Sequence, residues 1–435
     1  MKLRDAKETL VPSANRVVVT GLGMVSPLGN GRHENWRRLV AGEIATRPIR
    51  QFDARGWPVS IACEVDSFAM NPQALSRLGS TKLTRVQQFA LQASFEALDD
   101  GAWRHEDTKN LGVIMGHGVG AIKPQNILDH LAKFDLNPEF KGLTPYLLEL
   151  GEAPHLLRQN HPNQLTTMIA EQSGFRAFAT SISTACAGGA QAIGHAARLI
   201  RAGRADAVLA GGADSLAGEL LFAGFCLLGV LSKSTEPQQA SRPFDRARDG
   251  LVASEGAAIL LLESLDSAQK RGAKIYAEVL GYGESENAYR LTDLPEDGRG
   301  AAVAMRRALA DTELGYVDCI NAHGTSTEQN DRVEAVAIED VFYQHGHRPA
   351  VTANKSQLGH LVAASGAIEA AISILTIKEQ CIPAIKNLQQ TDCAQRYPID
   401  FVKDQPRATR VRQVLSNSFG FGGTNASLLF SEFKT

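Results

Sequence analysis

One format recurs along the chain and restricts its fold more than any other feature. RVVVTGLG (Arg16 to Gly23), LGVIMGHGVG (Leu111 to Gly120) and ADAVLAGGADSL (Ala205 to Leu216) are short apolar runs punctuated by glycine. Their length and turn residues predict buried strands. Between them lie helical stretches such as LTRVQQFALQASFEALDD, whose apolar residues fall near i, i+3, i+4 and i+7. Strands interleaved with helices predict a layered α/β fold.

The second half repeats the format. AKIYAEVLGYG (Ala273 to Gly283) reads as a strand. A helix follows around Ala301 to Ala310, then a strand before His323, a helix after Asp331 and a strand ending near Asn354. The closing VRQVLSNSFGFGGTNASLLF reads as a hairpin around a glycine loop. Two halves of similar order predict an internal duplication. The joint falls near Lys270 to Ala273, without a Pro/Ser linker, so the halves are expected to share a large interface. Hydrophobic residues form 44% of the 435, enough for a sizeable core.

The charge balance gives no global pull toward nucleic acid or an anionic membrane, with 45 Lys+Arg against 47 Asp+Glu. The most apolar long window, Ala207 to Leu231, contains Asp214, Glu219 and several glycines, and reads as core, not as a membrane span. The six cysteines are scattered and form no CxxC or Cys/His cluster, which points to a reducing compartment. The polar N-terminus lacks the apolar stretch of a secretory signal. A cytoplasmic protein is expected. The opening VVVTGLGMVSPLG imitates a dinucleotide fingerprint. Ser26 stands where the third glycine is needed, and Pro27 and Gly29 follow where a helix must begin.

SISTACAGGAQAIGHAARLI (Ser181 to Ile200) sets Cys186 among small residues at the start of a helical pattern. A helix N-terminus is expected to stabilise a thiolate there, and small neighbours would let a bulky substrate approach. By itself this also fits a small buried cysteine at a tight junction. NAHGTSTEQND places His323 directly after a strand, with Thr325, Ser326 and Thr327 beside it and Asp331 beyond. NKSQLGHLVAASGAIEA places His360 five residues after Lys355, with Glu369 further on. In SNSFGFGGTN, Gly420, Gly422 and Gly423 surround Phe421, a loop able to aim N–H groups at an oxyanion. A thiol, two imidazoles and a glycine loop suit acyl transfer, with Lys355 and Glu369 fixing the imidazoles.

Together these segments resemble the β-ketoacyl-[acyl carrier protein] synthases, condensing enzymes of the thiolase superfamily. The likeness is closest to the elongating types and their polyketide-synthase relatives. It runs from RVVVTGLGMVSPLG to GTNASLLF and includes SRPFDRARDGLVASEGAA (Ser241 to Ala258), similar to that family's core signature. The resemblance implies a thiolase-like, five-layered αβαβα fold built from two duplicated halves, 14–270 and 271–435. It implies that Cys186 is the acyl-accepting nucleophile and that His323 and His360 drive malonyl decarboxylation. Lys355, Glu369 and Asp331 would support them. Phe421 would gate the site and share an oxyanion hole with the Cys186 N–H. Thr325 and Thr327 would bind the carrier's phosphopantetheine arm, and Phe225 would line the acyl pocket. No permanently bound cofactor or metal is implied. The implied partners are an acyl carrier protein and a second subunit, giving a homodimer or a heterodimer with a homologous ketosynthase-like chain.

Other assignments remain open at this point. One is a non-catalytic, chain-length-determining subunit. Another is a Cys186-dependent acyltransferase or thioesterase. Thiolases carry a second cysteine in the C-terminal glycine loop, and NSFGFGG has none. The segment 141–174 departs from the family's usual pattern, as do GHGVGAIKPQNILDH, Glu328 and Ser254. These departures bear on substrate length and shape, and a specialised polyketide-type synthase fits them as well as a drifted loop does. Arg77, Lys82 and Arg85 form a basic edge suited to an acidic carrier or, more simply, to a solvated helix face.

Overall fold

A computed structural model describes residues 16–66, 68–70, 83–104, 110–118, 161–310, 316–393 and 396–434. Arg77, Lys82 and most of the unusual stretch through residue 160 lie outside the described residues.

The first half contributes β1 (Val17–Ser26), the two-residue β2 (Gly29–Asn30), β3 (Leu111–His117), β4 (Phe178–Ile182), β5 (Ala207–Ser215) and β6 (Glu255–Ser264). The second contributes β7 (Ala277–Glu286), β8 (Cys319–Asn321), β9 (Ala350–Thr352), β10 (Asp400–Phe401), β11 (Gln413–Phe419) and β12 (Thr424–Ser431). The sheet order is β10-β9-β8-β11-β12-β7-β1-β6-β5-β3-β4, with β2 beside β1. Each half has the same topology. Its first strand lies antiparallel to its last, the last antiparallel to the next-to-last, and the remaining strands parallel beyond that. The halves join where β1 meets β7, at Val18 opposite Glu278 and Val19 opposite Ala277.

Eight helices matter here: α1 (Arg32–Val40), α2 (Arg85–Asp100), α3 (Gln164–Ser173), α4 (Gly188–Arg201), α5 (Glu219–Leu228), α6 (Arg299–Leu309), α7 (Glu328–Val341) and α8 (Ser365–Glu379). Helices α4 and α8 pack on each other, and both touch strands of both halves. Helices α2 and α3 cover the outer face of the first half's strands, while α6 covers that of the second half's strands with α7 against it. The layers are therefore αβαβα, as expected. All but two residues of α8, Lys378 and Glu379, are buried, which explains why its sequence shows no polar stripe.

The glycines that imitate a nucleotide fingerprint have another cause. A Cβ on Gly21 would come within 2.0 Å of the Ala97 carbonyl oxygen, and one on Gly23 within 1.8 Å of that of Ala93. Helix α2 thus rests its backbone directly on β1. The second half repeats this contact, with Gly281 against Ala308 at 1.9 Å and Gly283 against Ala304 at 2.0 Å. A capping box at Thr84 and Gln87 fixes the start of α2. Arg85, at the expected basic edge, is half-buried: its guanidinium pairs with the buried Glu255 carboxylate at 2.6 Å.

Candidate active site

Cys186, His323, His360 and Phe421 come from turns and loops that follow strand ends, where α/β sheets place their sites, while Asp331, Glu369 and Phe225 lie on helices. Cys186 lies in a single 3-10 turn, Ala185–Ala187, after β4 and immediately before α4. His323 follows β8, Lys355 opens a short helix after β9, and His360 follows that helix. Phe421 sits in the hairpin between β11 and β12. The local backbone is forced: Ala185 has φ +46, a conformation unusual for a residue with a side chain. A Cβ on Gly116 would fall 2.2 Å from Gly188, so strand and helix meet there backbone to backbone.

Sequence separation vanishes at this point. One donor atom each from Cys186, His323 and His360 lies within 4.8 Å of the others, and all three residues are buried. The two imidazoles are 5.3 Å apart between ring centres and nearly perpendicular, at 84°. His323 also meets Phe419 edge to face at 5.6 Å. This trio would suit a soft divalent cation as well. Such an ion would consume the thiol and both free imidazole nitrogens.

Each imidazole is held in one tautomer. The Lys355 ammonium lies 3.2 Å from His323 Nδ1, donates to the His323 carbonyl at 2.6 Å, and pairs with Glu369. A donor at Nδ1 leaves the ring proton on Nε2. His360 Nδ1 accepts from the Val362 N–H at 3.1 Å and lies 2.9 Å from Ser365 Oγ. Its proton is therefore also on Nε2. Burial holds both imidazoles well below the usual histidine range; Lys355 adds to this for each, and His360 adds to it for His323. Both rings are neutral and present N–H donors to the cavity.

The thiol departs from expectation. Burial pushes Cys186 up to about 12, against Lys355, the Phe421 N–H and its own N–H, with Asp214 adding to the rise. A helix N-terminus was expected to lower it. Burial wins in the ligand-free site, so the resting sulfur carries its proton. The Phe421 N–H nevertheless reaches the sulfur. Gly420 makes that approach possible, since a Cβ there would stand 2.8 Å from the Thr184 carbonyl oxygen.

The remaining sequence candidates separate. A cavity of about 380 Å³ is lined by Cys186, His323, His360, Thr325, Thr327 and Phe421, among others. Thr325 and Thr327 are joined through their hydroxyls at 2.8 Å. Phe225 is not part of that wall. It stands behind Phe421, with ring centres 5.9 Å apart. Asp331 does not face the reacting groups. It accepts the Ser326 and Phe244 N–H groups and so shapes the loop carrying His323. Glu369 is pushed up to about 7 by burial, against the pull of Lys355.

Two further groups had no signal specific enough to find. Glu334, on α7, accepts the His323 N–H at 2.9 Å, the Gly324 N–H at 2.8 Å and the Asn417 amide at 3.1 Å. Arg248, inside the SRPFDRARDGLV segment, donates to the carbonyls of Thr327 and Glu328 and fixes the cavity rim.

Comparisons with known proteins agree in kind. Residues 14–268 match the family model of the beta-ketoacyl synthase N-terminal domain, and residues 276–389 that of the C-terminal domain. The chain is 38% identical over 422 residues to the 3-oxoacyl-[acyl-carrier-protein] synthase 2 of Coxiella burnetii, covering 96% of this chain and 98% of that one. It is similar to the ishigamide ketosynthase/chain length factor structure, with TM-score 0.82 and 35% identity over 96% and 99% of the two chains. It is also similar to a type II polyketide-synthase ketosynthase solved with its acyl-carrier protein and bound to the hexaketide. There the TM-score is 0.80 and the identity 31%, over 96% and 99% of the chains.

Proposed function

The chain belongs to the beta-ketoacyl synthase family, and from that premise we propose that it catalyses decarboxylative Claisen condensation on an acyl carrier protein. The observation that carries this reading is one cavity holding a thiol and two neutral imidazoles with their Nε2–H groups free.

The chemistry divides into two stages. Cys186 sulfur attacks the carrier-bound acyl thioester. The tetrahedral oxyanion sits between the N–H groups of Cys186 and Phe421, and the carrier thiol leaves with the proton that Cys186 gives up. Malonyl-carrier then enters. Its carboxylate leaves as CO₂, and the electron pair of that bond passes into an enolate. The Nε2–H groups of His323 and His360 donate to the enolate oxygen. Neutral donors are the right kind, because they stabilise a developing negative charge without giving up a proton. The enolate carbon attacks the Cys186 thioester, the same two N–H groups hold the second oxyanion, and the β-ketoacyl carrier departs as the Cys186–acyl bond breaks; the sulfur leaves as thiolate and takes one proton from water to return to its resting form. Lys355 and Glu369 keep His323 in its tautomer, Asp331 and Glu334 shape its loop, and Phe421 gates the cavity beside Phe225. Thr325 and Thr327 offer hydroxyls to the phosphopantetheine arm, which the carrier brings with the substrate.

The halves 14–270 and 271–435 are read as descendants of one duplicated unit. Their shared strand order and the twin glycine–helix contacts support this. The partners proposed are an acyl carrier protein and a second ketosynthase-like chain, identical or homologous. The similar solved structures carry a carrier and a chain length factor, and β4 forms the end of its sheet with one edge unpaired among the described residues. No described helix is long and apolar enough to cross a membrane. The compartment proposed is the cytoplasm, in keeping with the six free cysteines.

Reconstitution with acyl- and malonyl-carrier tests the reaction. The reading expects equal amounts of CO₂ and β-ketoacyl carrier. Release of free acid without CO₂ would instead favour a thioesterase, and silence in the absence of a homologous partner would favour a chain-length subunit.

A further inference from the structure

We propose that Asp214 is a positioning residue for decarboxylation: its buried carboxylate, in the first half, clamps the Val362–Ala364 turn that aims His360 from the second. The inference rests on the role given to His360 above.

Asp214 lies near the end of β5 and is 5% exposed. Its oxygens accept the Ser215 N–H at 2.9 Å and the Ala363 N–H at 3.2 Å, and the Gly118 N–H also donates to it. The Ala363 bond crosses from one half to the other. It fastens a turn that needs holding, because Val362, a β-branched residue, has φ +48. The same turn is seated from the other side. A Cβ on Gly212 would stand 2.4 Å from the Ala363 carbonyl oxygen, and one on Gly189 2.6 Å from it. The peptide on each side of Ala363 is thus fixed, one by a carboxylate and one by contact with bare backbone. Val362 has a single N–H, and it points at His360 Nδ1. That bond keeps the ring proton on Nε2, facing the cavity. Release of the turn would free the ring to take the other tautomer and lose its donor.

The groups around Asp214 are His117 at the end of β3, Cys186 on the nucleophile turn, His360 beyond Val362, and Glu255 through the Ser215 hydroxyl. Glu255 is itself paired with Arg85. Burial raises Asp214 to about 6, opposed by the three N–H donors and by His117. Protonation near pH 6 weakens the acceptor that holds Ala363.

The test uses the full chain with malonyl-carrier, CO₂ release as one readout and Cys186 acylation by acyl-carrier as the other. Asp214→Asn is expected to lower kcat for decarboxylation about 10- to 100-fold. KM for malonyl-carrier should stay within about twofold, and acylation should fall far less than decarboxylation, since the clamp acts on His360 while the Asp214 charge only adds to the burial that raises the Cys186 thiol. Wild type should show an acid limb near pH 6 that is missing from the variant, and Asp214→Glu should restore a large part of the rate. Histidine ¹⁵N NMR on the wild type needs no variant to fold, and there the His360 Nε2–H signature should give way to a tautomer mixture below about pH 6. Equal loss of acylation and decarboxylation, wild-type decarboxylation in Asp214→Asn, or an unchanged His360 signature across that pH range would overturn the proposal. Absence of CO₂ release from the wild type would overturn the functional reading beneath it.

Discussion

Replacing Lys355 with methionine separates the structural from the chemical role of the buried pair. Lys355 and Glu369 are each about 2% exposed, and Lys355 has no other charged partner among its hydrogen bonds. Removing Lys355 leaves Glu369, already raised to about 7, buried without its counter-ion; left charged it would cost about 3–5 kcal/mol of stability, and proton uptake by the carboxyl trims that penalty. The His323 carbonyl loses its donor as well, worth about 1 kcal/mol more. A second substitution, Glu369→Leu, removes the stranded charge, so the double variant should regain most of the stability. Catalysis should behave differently. Without an ammonium at Nδ1, His323 is free to carry its proton there and lose the donor aimed at the enolate. That is equivalent to removing one oxyanion donor, a loss of about 10²–10³-fold in decarboxylation. Urea unfolding and CO₂ release from malonyl-carrier measure the two effects. Destabilisation under about 1 kcal/mol in Lys355→Met, or wild-type decarboxylation in the double variant, would refute the reasoning.

Three other outcomes follow from the same geometry. Cys186→Ala should accept no acyl group and form no β-ketoacyl carrier, as mass spectrometry of the protein and product would show. Gly420→Ala places a methyl 2.8 Å from the Thr184 carbonyl oxygen; the displaced loop should withdraw the Phe421 N–H and cost about 10²–10³-fold in condensation, measured as kcat for β-ketoacyl formation. Glu334 is raised to about 7 by burial, while an unfolded glutamate titrates near 4.3. The native state therefore binds the extra proton between those values, and stability should fall, by on the order of 3 kcal/mol, as pH rises from about 4.5 to about 7. Unfolding free energies across that range should show the decline, and Glu334→Gln should remove its own share of it, leaving that of Glu369.

Much of the site was legible because its chemistry is local. Cys186, His323, His360 and Phe421 each sit in a short stretch of glycine and small or polar residues at a strand end, and such stretches stand out against the apolar runs that precede them. The layered fold was legible from the same alternation. What stayed hidden depends on residues far apart in sequence. Glu334 lies eleven positions beyond His323 on an ordinary-looking helix, and only the fold shows that its carboxylate accepts that loop's N–H groups. Asp214 ends an apolar run and gives no hint that its partner is Ala363. Arg85 looked like surface charge because Glu255, 170 residues away, is silent in a local reading. The thiol's direction of titration was misjudged for a related reason. The helix start is visible in the sequence, whereas the degree of burial that outweighs it is not.

A chase experiment on Cys186 tests the central claim most directly. The protein is loaded from an acyl-carrier, the modified peptide is identified by mass spectrometry, and malonyl-carrier is then added. The account predicts an acyl group on Cys186 alone, which disappears as CO₂ and the β-ketoacyl carrier appear in equal amounts. An adduct on another residue, or loss of the adduct as free acid without a new carbon–carbon bond, would contradict it.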